Sequence, residues 1–294
     1  MQTRIFRALS LIVTLTLLGV MGVQTPRAVE AQVAPQANFP VYLPLIQKAC
    51  TAGQSYGQGL VYQYDNDNPV RPAYNHADKN FALRGYTTDN GQSRTLQAIV
   101  GATDTGAPQL NTLVSPQRKF VITSTRQSYN WNWGTPPNPG TRGSVITSPA
   151  VTVVGLQVTL GETIRVPTSG YDLGQGVTAI VLYAAANSIT LHYTRDDSGF
   201  PGYTIMIDNI CVDPNLLALY TSLDGTARNT YGGGQGSGYS YNLPTLTYNQ
   251  PIGTALTNEL IVAIRDTGSF LDPRSCKDWW KAYWNGSTSA PVCN

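Results

Sequence analysis

Residues 177–210 read VTAIVLYAAANSITLHYTRDDSGFPGYTIMIDNI, and the alternation of apolar and polar side chains in this stretch indicates β-structure. The run Ser188–Thr194 has two sides that differ in polarity: Ile189, Leu191 and Tyr193 face one way, and Thr190, His192 and Thr194 face the other. A period of two is typical of a strand with one buried face, so we expect the threonine and histidine side to face solvent. Gly, Asn and Asp bound this run and its neighbours, which predicts successive strands joined by turns.

The same pattern extends outward from this stretch in both directions. Further strands are predicted at Leu60–Tyr64, Thr95–Val100, Lys119–Thr125, Val151–Leu160, Thr163–Val166 and Leu260–Ile264. One helix is predicted over Asp213–Leu223, because Asp213 can cap it, Pro214 suits its first turn and leucines form an apolar stripe. The glycine-rich stretch Gly225–Gly238 predicts a loop. We therefore predict an all-β fold, an antiparallel β-sandwich or open barrel with one short helix and long loops.

The first residues predict export from the cytoplasm. Arg4 and Arg7 precede the apolar run Ala8–Val23, and small residues around Ala31 suit a signal peptidase. We predict a signal peptide over residues 1–31, a linker over 32–49, an N-terminal β-rich region over 50–150 and a β-domain with a C-terminal tail over 151–294. A permanent membrane anchor is the alternative, although the apolar run is short for a span of about 20 residues. The expected location is extracellular or in the cell envelope, with no membrane span after cleavage.

Charge argues against nucleic acid as a partner. Loss of residues 1–31 removes three arginines and one glutamate, which leaves 16 basic and 16 acidic residues and no net formal charge. No polybasic stretch is present to neutralise phosphates.

Four cysteines remain in the mature chain, an even number that predicts two disulfides in an exported protein. Three pairings are open, and buried free thiols are the alternative. The short loop between Cys276 and Cys293 favours that pair, which leaves Cys50 with Cys211 to tie the N-terminal segment to the body.

Several short segments of residues 151–274, in the right order, resemble the lysostaphin/LytM-type zinc endopeptidases, the β-fold called the duplicated hybrid motif. The segments are Gly155–Val158, Gly161–Pro167, Ser169–Tyr171, Leu219–Leu223, Asn249–Gly253, Glu259–Arg265, Gly268 and Asp272–Pro273. The resemblance implies a β-domain in this part of the chain and an ancestral peptidase acting on cell walls.

The positions that carry the family's chemistry are changed here. Family enzymes bind zinc through a histidine and an aspartate of the opening box and a histidine of the last strand. The corresponding positions, together with those of the family's two other histidines, hold Val153, Gln157, Ser222, Glu259 and Ile261. Hydrophobic side chains cannot ligate zinc, and a neutral amide is a poor ligand. The resemblance therefore implies a degenerate domain that lacks the metal ligands, and no cofactor is expected.

The run Tyr129-Asn130-Trp131-Asn132-Trp133 is the main candidate for ligand binding. Alternation places Tyr129, Trp131 and Trp133 on one side, where rings can stack on sugars or pack on a peptide while the asparagines bond hydroxyls. The alternative is that the three rings fill a core. A second aromatic cluster, Asp278–Trp284, is expected to cover the last strand.

A zinc site built from other residues is the alternative for catalysis. The only histidines are His76 and His192, which with Asp78 offer three ligands, and Asp196 offers a base. Otherwise His192 lies on the solvent face of a strand and His76 in a polar turn.

These observations favour a secreted or envelope-attached, non-catalytic β-protein that binds cell-wall glycan, another polysaccharide or a surface protein. One alternative is an exported zinc metallohydrolase or peptidase acting on the cell wall. Another is a structural surface or adhesion component.

Overall fold

The computed structural model describes Cys50 and residues 53–63, 72–99, 103–135, 138–194, 202–231, 239–287 and 289–294. The predicted signal peptide and linker lie outside these residues.

Short strands make up most of the regular structure. The described residues contain fourteen: β1 Gly57–Gln63, β2 Tyr86–Thr88, β3 Ile122–Asn132, β4 Thr141–Val145, β5 Val153–Gln157, β6 Thr163–Arg165, β7 Val177–Ala185, β8 Ser188–Thr194, β9 Gly202–Asp208, β10 Ile210–Val212, β11 Tyr239–Thr247, β12 Pro251–Ala255, β13 Glu259–Asp266 and β14 Ser269–Leu271. The α-helices described are α1 Phe81–Arg84, α2 Pro214–Tyr231 and α3 Cys276–Trp279, and single 3₁₀ turns cover Ala73–Asn75, Leu110–Thr112 and Lys281–Tyr283.

Eleven of these strands form one large open sheet. Its order is β1-β11-β7-β8-β9-β13-β5-β3-β2, with β14 against β13 and β4 against β3, and a second sheet has the order β10-β12-β6. Neighbouring strands in both sheets are antiparallel. The predicted all-β, antiparallel fold is confirmed, and strands from both the 50–150 and the 151–294 regions contribute to the large sheet.

The main hydrophobic core joins one face of the large sheet to the small sheet and to α2. Ten apolar residues that recur at period two are all buried in it: Ile164, Val166, Ile180, Leu182, Ile189, Leu191, Ile205, Ile207, Val262 and Ile264. This alternation specifies the register of the sheet, because a slip of one residue would exchange the two faces of a strand.

The opposite face of β8 is buried, whereas the sequence predicts that it is exposed to solvent. Thr190, His192 and Thr194 were expected to face solvent, but all three are buried. The segment around α1 covers this face, and the Thr190 hydroxyl donates to the Lys79 carbonyl at 2.6 Å. A smaller core forms beside it, where Phe81 packs with apolar residues of β5, β9, β13 and β14.

Helix α2 begins as predicted but continues to Tyr231. Its Asp213 cap accepts from the Asn215 amide at 2.8 Å. The prediction of a loop from Gly225 is wrong for residues 225–231, because the ion pair of Asp224 with Arg228 at 2.9 Å and the burial of Ala227 hold the last turns helical. Residues 232–238 lie outside the description.

Both predicted disulfides, Cys50–Cys211 and Cys276–Cys293, are formed. The first ties Cys50 to β10, and the second closes the C-terminal segment around α3. In the part of the chain that is described, no helix has the length and apolar character needed to cross a bilayer.

Candidate functional site

The aromatic run lies on the hairpin formed by β3 and β4. Trp131 pairs with Arg142 across the hairpin, and the Trp131 indole N–H donates to the Pro139 carbonyl at 2.6 Å. Gly140 makes the return possible, because its φ is 94° and a Cβ there would lie 2.1 Å from the Asn132 carbonyl oxygen. The bond from Trp131 to Pro139 and the conformation of Gly140 therefore hold the residues before β4 against the end of β3.

The three rings predicted to form one ladder have different surroundings. The guanidinium carbon of Arg84 lies 5.9 Å from the Trp131 ring centroid, and that of Arg142 lies 5.7 Å from the Tyr129 centroid. Both rings are half-buried, whereas Trp133 is 45% exposed. The structure therefore gives Tyr129 and Trp131 a supporting role in packing and leaves Trp133 as the ring most open to a ligand.

Trp133 makes T-shaped contacts with two other rings. Its ring centroid lies 4.9 Å from that of His76 at an interplanar angle of 61°, and 6.4 Å from that of Trp131 at 67°. Edge-to-face contacts of this kind are favourable and fix ring orientation. His76, predicted as a possible zinc ligand, is thereby placed beside the aromatic hairpin.

One amide side chain lies at the turn beside this ring, and two others lie on the opposite side of the strand by alternation. Asn130, Asn132 and Asn138 are all exposed on the hairpin, and the Asn130 side chain donates to the Ser144 hydroxyl at 3.2 Å. Asn138 lies at the turn after Trp133, where its Oδ1 accepts from the Gly140 amide at 2.9 Å. The hairpin tip thus combines one oriented indole with an amide able to donate and accept hydrogen bonds.

Asp78, another predicted zinc ligand, forms ion pairs instead. Its Oδ1 accepts from the Arg84 guanidinium and from that of Arg265, the latter at 2.9 Å. Both arginines are buried, and both stack on Phe270, at 5.3 and 5.1 Å from the ring centroid. Burial, and then repulsion by Arg265, lowers the pKa of Arg84 to about 10 despite the attraction of Asp78.

His192, the third predicted zinc ligand, lies in the sheet between β7 and β9, with Nδ1 3.3 Å from the Thr204 hydroxyl. Among the described residues, no three His, Cys, Asp or Glu side chains are grouped as metal ligands. Asp196 lies outside the described residues. The zinc alternative stays a prediction, without a ligand set in the described geometry.

Four of the positions aligned with the family's chemistry lie on one face of β5 and β13. Gln157 is directly opposite Glu259, and Val153 and Ile261 pack with Phe81 in the smaller core. Ser222 lies apart from them on the exposed side of α2. Packed apolar side chains, Val153 and Ile261 with Phe81, therefore lie where the resemblance aligns part of a metal centre.

The Glu259 carboxylate is hydrogen-bonded and ion-paired by its neighbours. Its Oε1 accepts from the hydroxyls of Thr123 and Ser124 at 2.6 Å each, and its Oε2 pairs with Arg126 at 2.8 Å. Burial acts to raise the pKa of Glu259, but these hydrogen bonds and Arg126 together hold it below its usual value. This carboxylate is a structural anion and a poor proton donor near neutral pH.

Two clefts beside the C-terminal segment had no sequence signal. One, of about 440 Å³, is lined by aromatic and charged groups that include Tyr203, Phe270 and Trp279. The other, of about 270 Å³, is lined mainly by hydroxyls and amides, among them Asn111. Each joins residues 103–112 to residues more than 160 positions away, so no local pattern announces them.

Comparisons with family models, with curated proteins and with solved structures found no match to this chain.

Proposed function

We propose that the chain is an exported, non-catalytic glycan-binding protein that holds cell-wall glycan or a related polysaccharide at the Trp133 hairpin tip. The observation that carries the proposal is the combination of exposure and orientation at Trp133. A ring that is 45% exposed yet held by T-shaped contacts with two other rings loses little freedom when it binds.

The surroundings of Trp133 favour a sugar over an apolar partner. Sugars present an apolar C–H face for stacking and hydroxyls at their rim for hydrogen bonding. The exposed amide of Asn138, beside Gly134 at the turn after Trp133, offers a donor and an acceptor at that rim. An apolar protein partner would displace water from this amide without replacing its hydrogen bonds, at a cost in binding free energy.

Binding without catalysis fits the carboxylates at the other candidate positions. Asp78 is engaged by two buried guanidiniums, and Glu259 by two hydroxyls and Arg126. A general acid in a glycosidase needs a raised pKa, whereas the pKa of Glu259 is lowered. Two disulfides and the balanced charge of the predicted mature chain are compatible with an extracellular location.

The test is cosedimentation of the purified protein with insoluble peptidoglycan sacculi, with chitin and cellulose in parallel. Retention of the wild type on one of these polymers is expected, and Trp133→Ala is expected to weaken it by about 2 kcal/mol, or roughly 30-fold. Tyr248→Ala is the matched control, because Tyr248 is an exposed aromatic residue, at 63%, on the turn between β11 and β12. Equal retention of the two variants would remove Trp133 from the site, and no retention on any polymer would overturn the proposal.

A further inference from the structure

The smaller cleft lies between the 3₁₀ turn Leu110–Thr112 and the C-terminal turn Lys281–Tyr283. Its volume is about 270 Å³, and its walls carry hydroxyl and amide groups and one ammonium: Gln109, Asn111, Thr112, Gln117, Thr168 and Lys281. No carboxylate lines it among the described residues, and the Lys281 ammonium already donates to the Thr105 carbonyl, so the remaining polar groups are hydroxyls and amides that suit a hydrogen-bonding ligand.

One wall of this cleft is held rigidly. The Gln109 side chain donates to the carbonyls of Ala107 and Asp278 at 2.7 and 2.8 Å, and its Oε1 accepts from the Lys281 amide at 2.9 Å. The Thr112 hydroxyl donates to the Gln109 carbonyl at 2.7 Å. These bonds connect two distant parts of the chain and fix the position of the wall before any ligand arrives.

Asn111 is the unusual residue of the cleft. Its side chain is only 3% exposed, and its Nδ2 donates to the Gln117 Oε1 at 3.3 Å, near the long end of the normal range. Its Oδ1 is buried and has no hydrogen-bond partner among the described residues. If the Asn111 amide is flipped so that Oδ1 and Nδ2 exchange places, Nδ2 becomes the unpaired atom. One of the two atoms therefore lacks a partner in either orientation. Buried amides are normally fully paired, which points to a ligand that completes the set.

Gln117 covers this amide and is itself exposed. A ligand group that replaces the Gln117 carboxamide would take over the bond from Nδ2, and a donor beside it would supply the partner that Oδ1 lacks. The replacement needs an acceptor and a donor side by side, which two neighbouring sugar hydroxyls or an acetamido group provide.

We propose that the Asn111 cleft is a second saccharide-binding site, which takes one sugar residue through a bidentate bond to the Asn111 amide. This inference rests on the proposed function, since it gives the same class of ligand a second site. The site is built from different elements from those of the Trp133 hairpin, so either can be removed alone.

The test is titration of ¹⁵N-labelled protein with two soluble probes, cellobiose and N,N′-diacetylchitobiose, at millimolar concentration. The Asn111 and Gln117 side-chain amide signals and the Thr112 backbone amide are expected to shift with at least one probe. A shift with cellobiose assigns hydroxyl recognition, and a shift with diacetylchitobiose alone assigns the acetamido group. No shift of these signals with either probe would overturn the inference.

Two variants test the assignment of the residues. Asn111→Leu removes both ends of the amide at similar volume and is expected to weaken binding about tenfold or more, with no fall in melting temperature. Gln117→Ala is an exposed change that spares the fold, and it is expected to tighten binding a few-fold because the competing amide is gone. Wild-type affinity in both variants would overturn the inference.

A third variant separates this inference from the proposed function. Trp133→Ala is expected to keep the Asn111 shifts while losing retention on sacculi. Retention of the wild type without Asn111 shifts refutes the second site alone. Asn111 shifts in a wild type that no polymer retains refute the Trp133 site alone.

Discussion

Replacing Asp78 by asparagine should destabilise the protein more than any other single change of one charged group described above. The Asp78 carboxylate is shared by the guanidiniums of Arg84 and Arg265, both about 5% exposed and both stacked on Phe270. In Asp78→Asn the two buried cations remain and their compensating anion is lost.

The magnitude follows from the burial of the three groups. Removing one partner of a buried ion pair costs about 3–5 kcal/mol, because the remaining charge stays desolvated. The Asp78 side chain is itself 28% exposed, so we expect the lower end, about 3 kcal/mol. Repulsion between the two arginines, which already lowers the pKa of Arg84, acts in the same direction.

The assay is urea unfolding at neutral pH, followed by tryptophan fluorescence with the disulfides intact. Asp172→Asn is the matched control, since Asp172 is exposed and caps a turn by accepting from the Gly174 amide, which asparagine can also do. The control should change the free energy of unfolding by less than about 0.5 kcal/mol. In the Asp78→Asn background, Arg84→Met should cost less than it does in the wild type.

A loss for Asp78→Asn as small as that of the control would refute the ion-pair reasoning. The same experiment with a metal chelator separates it from the zinc alternative, because an ion pair is indifferent to the chelator. A wild type that loses the same stability in chelator as Asp78→Asn loses without it would support a metal ligand at this position.

Three further predictions concern the core, the Glu259 network and the metal. Leu191→Ala should lower the free energy of unfolding by about 2–5 kcal/mol, since Leu191 is fully buried in the main core, and a change below about 1 kcal/mol would argue against that packing. The pKa of Glu259 is lowered in the folded state, so this carboxylate stabilises the fold above its unfolded pKa, and the stabilisation is lost as pH falls through its folded pKa. The free energy of unfolding of Glu259→Gln should therefore depend less on pH between pH 5 and pH 3 than that of the wild type. Equal slopes for the two proteins would contradict this. Purified protein should carry no stoichiometric zinc by mass spectrometry and should not clear a cell-wall suspension, whereas zinc near one per chain, lost with lysis in His192→Ala, would favour the metallohydrolase.

The strands and the main core could be predicted from sequence because their signal is local. Ile189 and Leu191 alternate with polar residues inside one short run, and burial of one strand face follows from that alternation. Strand β11 was missed because Pro244 argues against a strand, yet it pairs there with Gln58 of the edge strand β1. Thr95–Val100, predicted as a strand, forms within its described residues, 95–99, an isolated bridge through Gln97 to Ser275 and no ladder.

The candidate sites could be predicted only in part, because they depend on contacts between distant residues. The alternating aromatic run identified Trp133, but its exposure depends on His76 and on the arginines that cover the neighbouring rings. The solvent face expected for Thr190 and His192 is covered by a segment more than 100 residues earlier. Asn111 has no distinguishing sequence context, since its cleft exists only once the C-terminal turn packs against Gln109.

The most direct measurement of the central claim is the fluorescence of Trp133 during titration with soluble peptidoglycan fragments. Trp279 and Trp280 are buried and Trp131 and Trp284 are half-buried, so the part of a saturable blue shift that disappears in Trp133→Phe reports a ligand on the exposed ring. We expect this shift in the wild type and in Tyr248→Ala, and we expect it to be lost in Trp133→Phe. An unchanged spectrum under conditions where the protein is retained on sacculi would show that the glycan binds elsewhere, and would contradict the assignment of the hairpin tip.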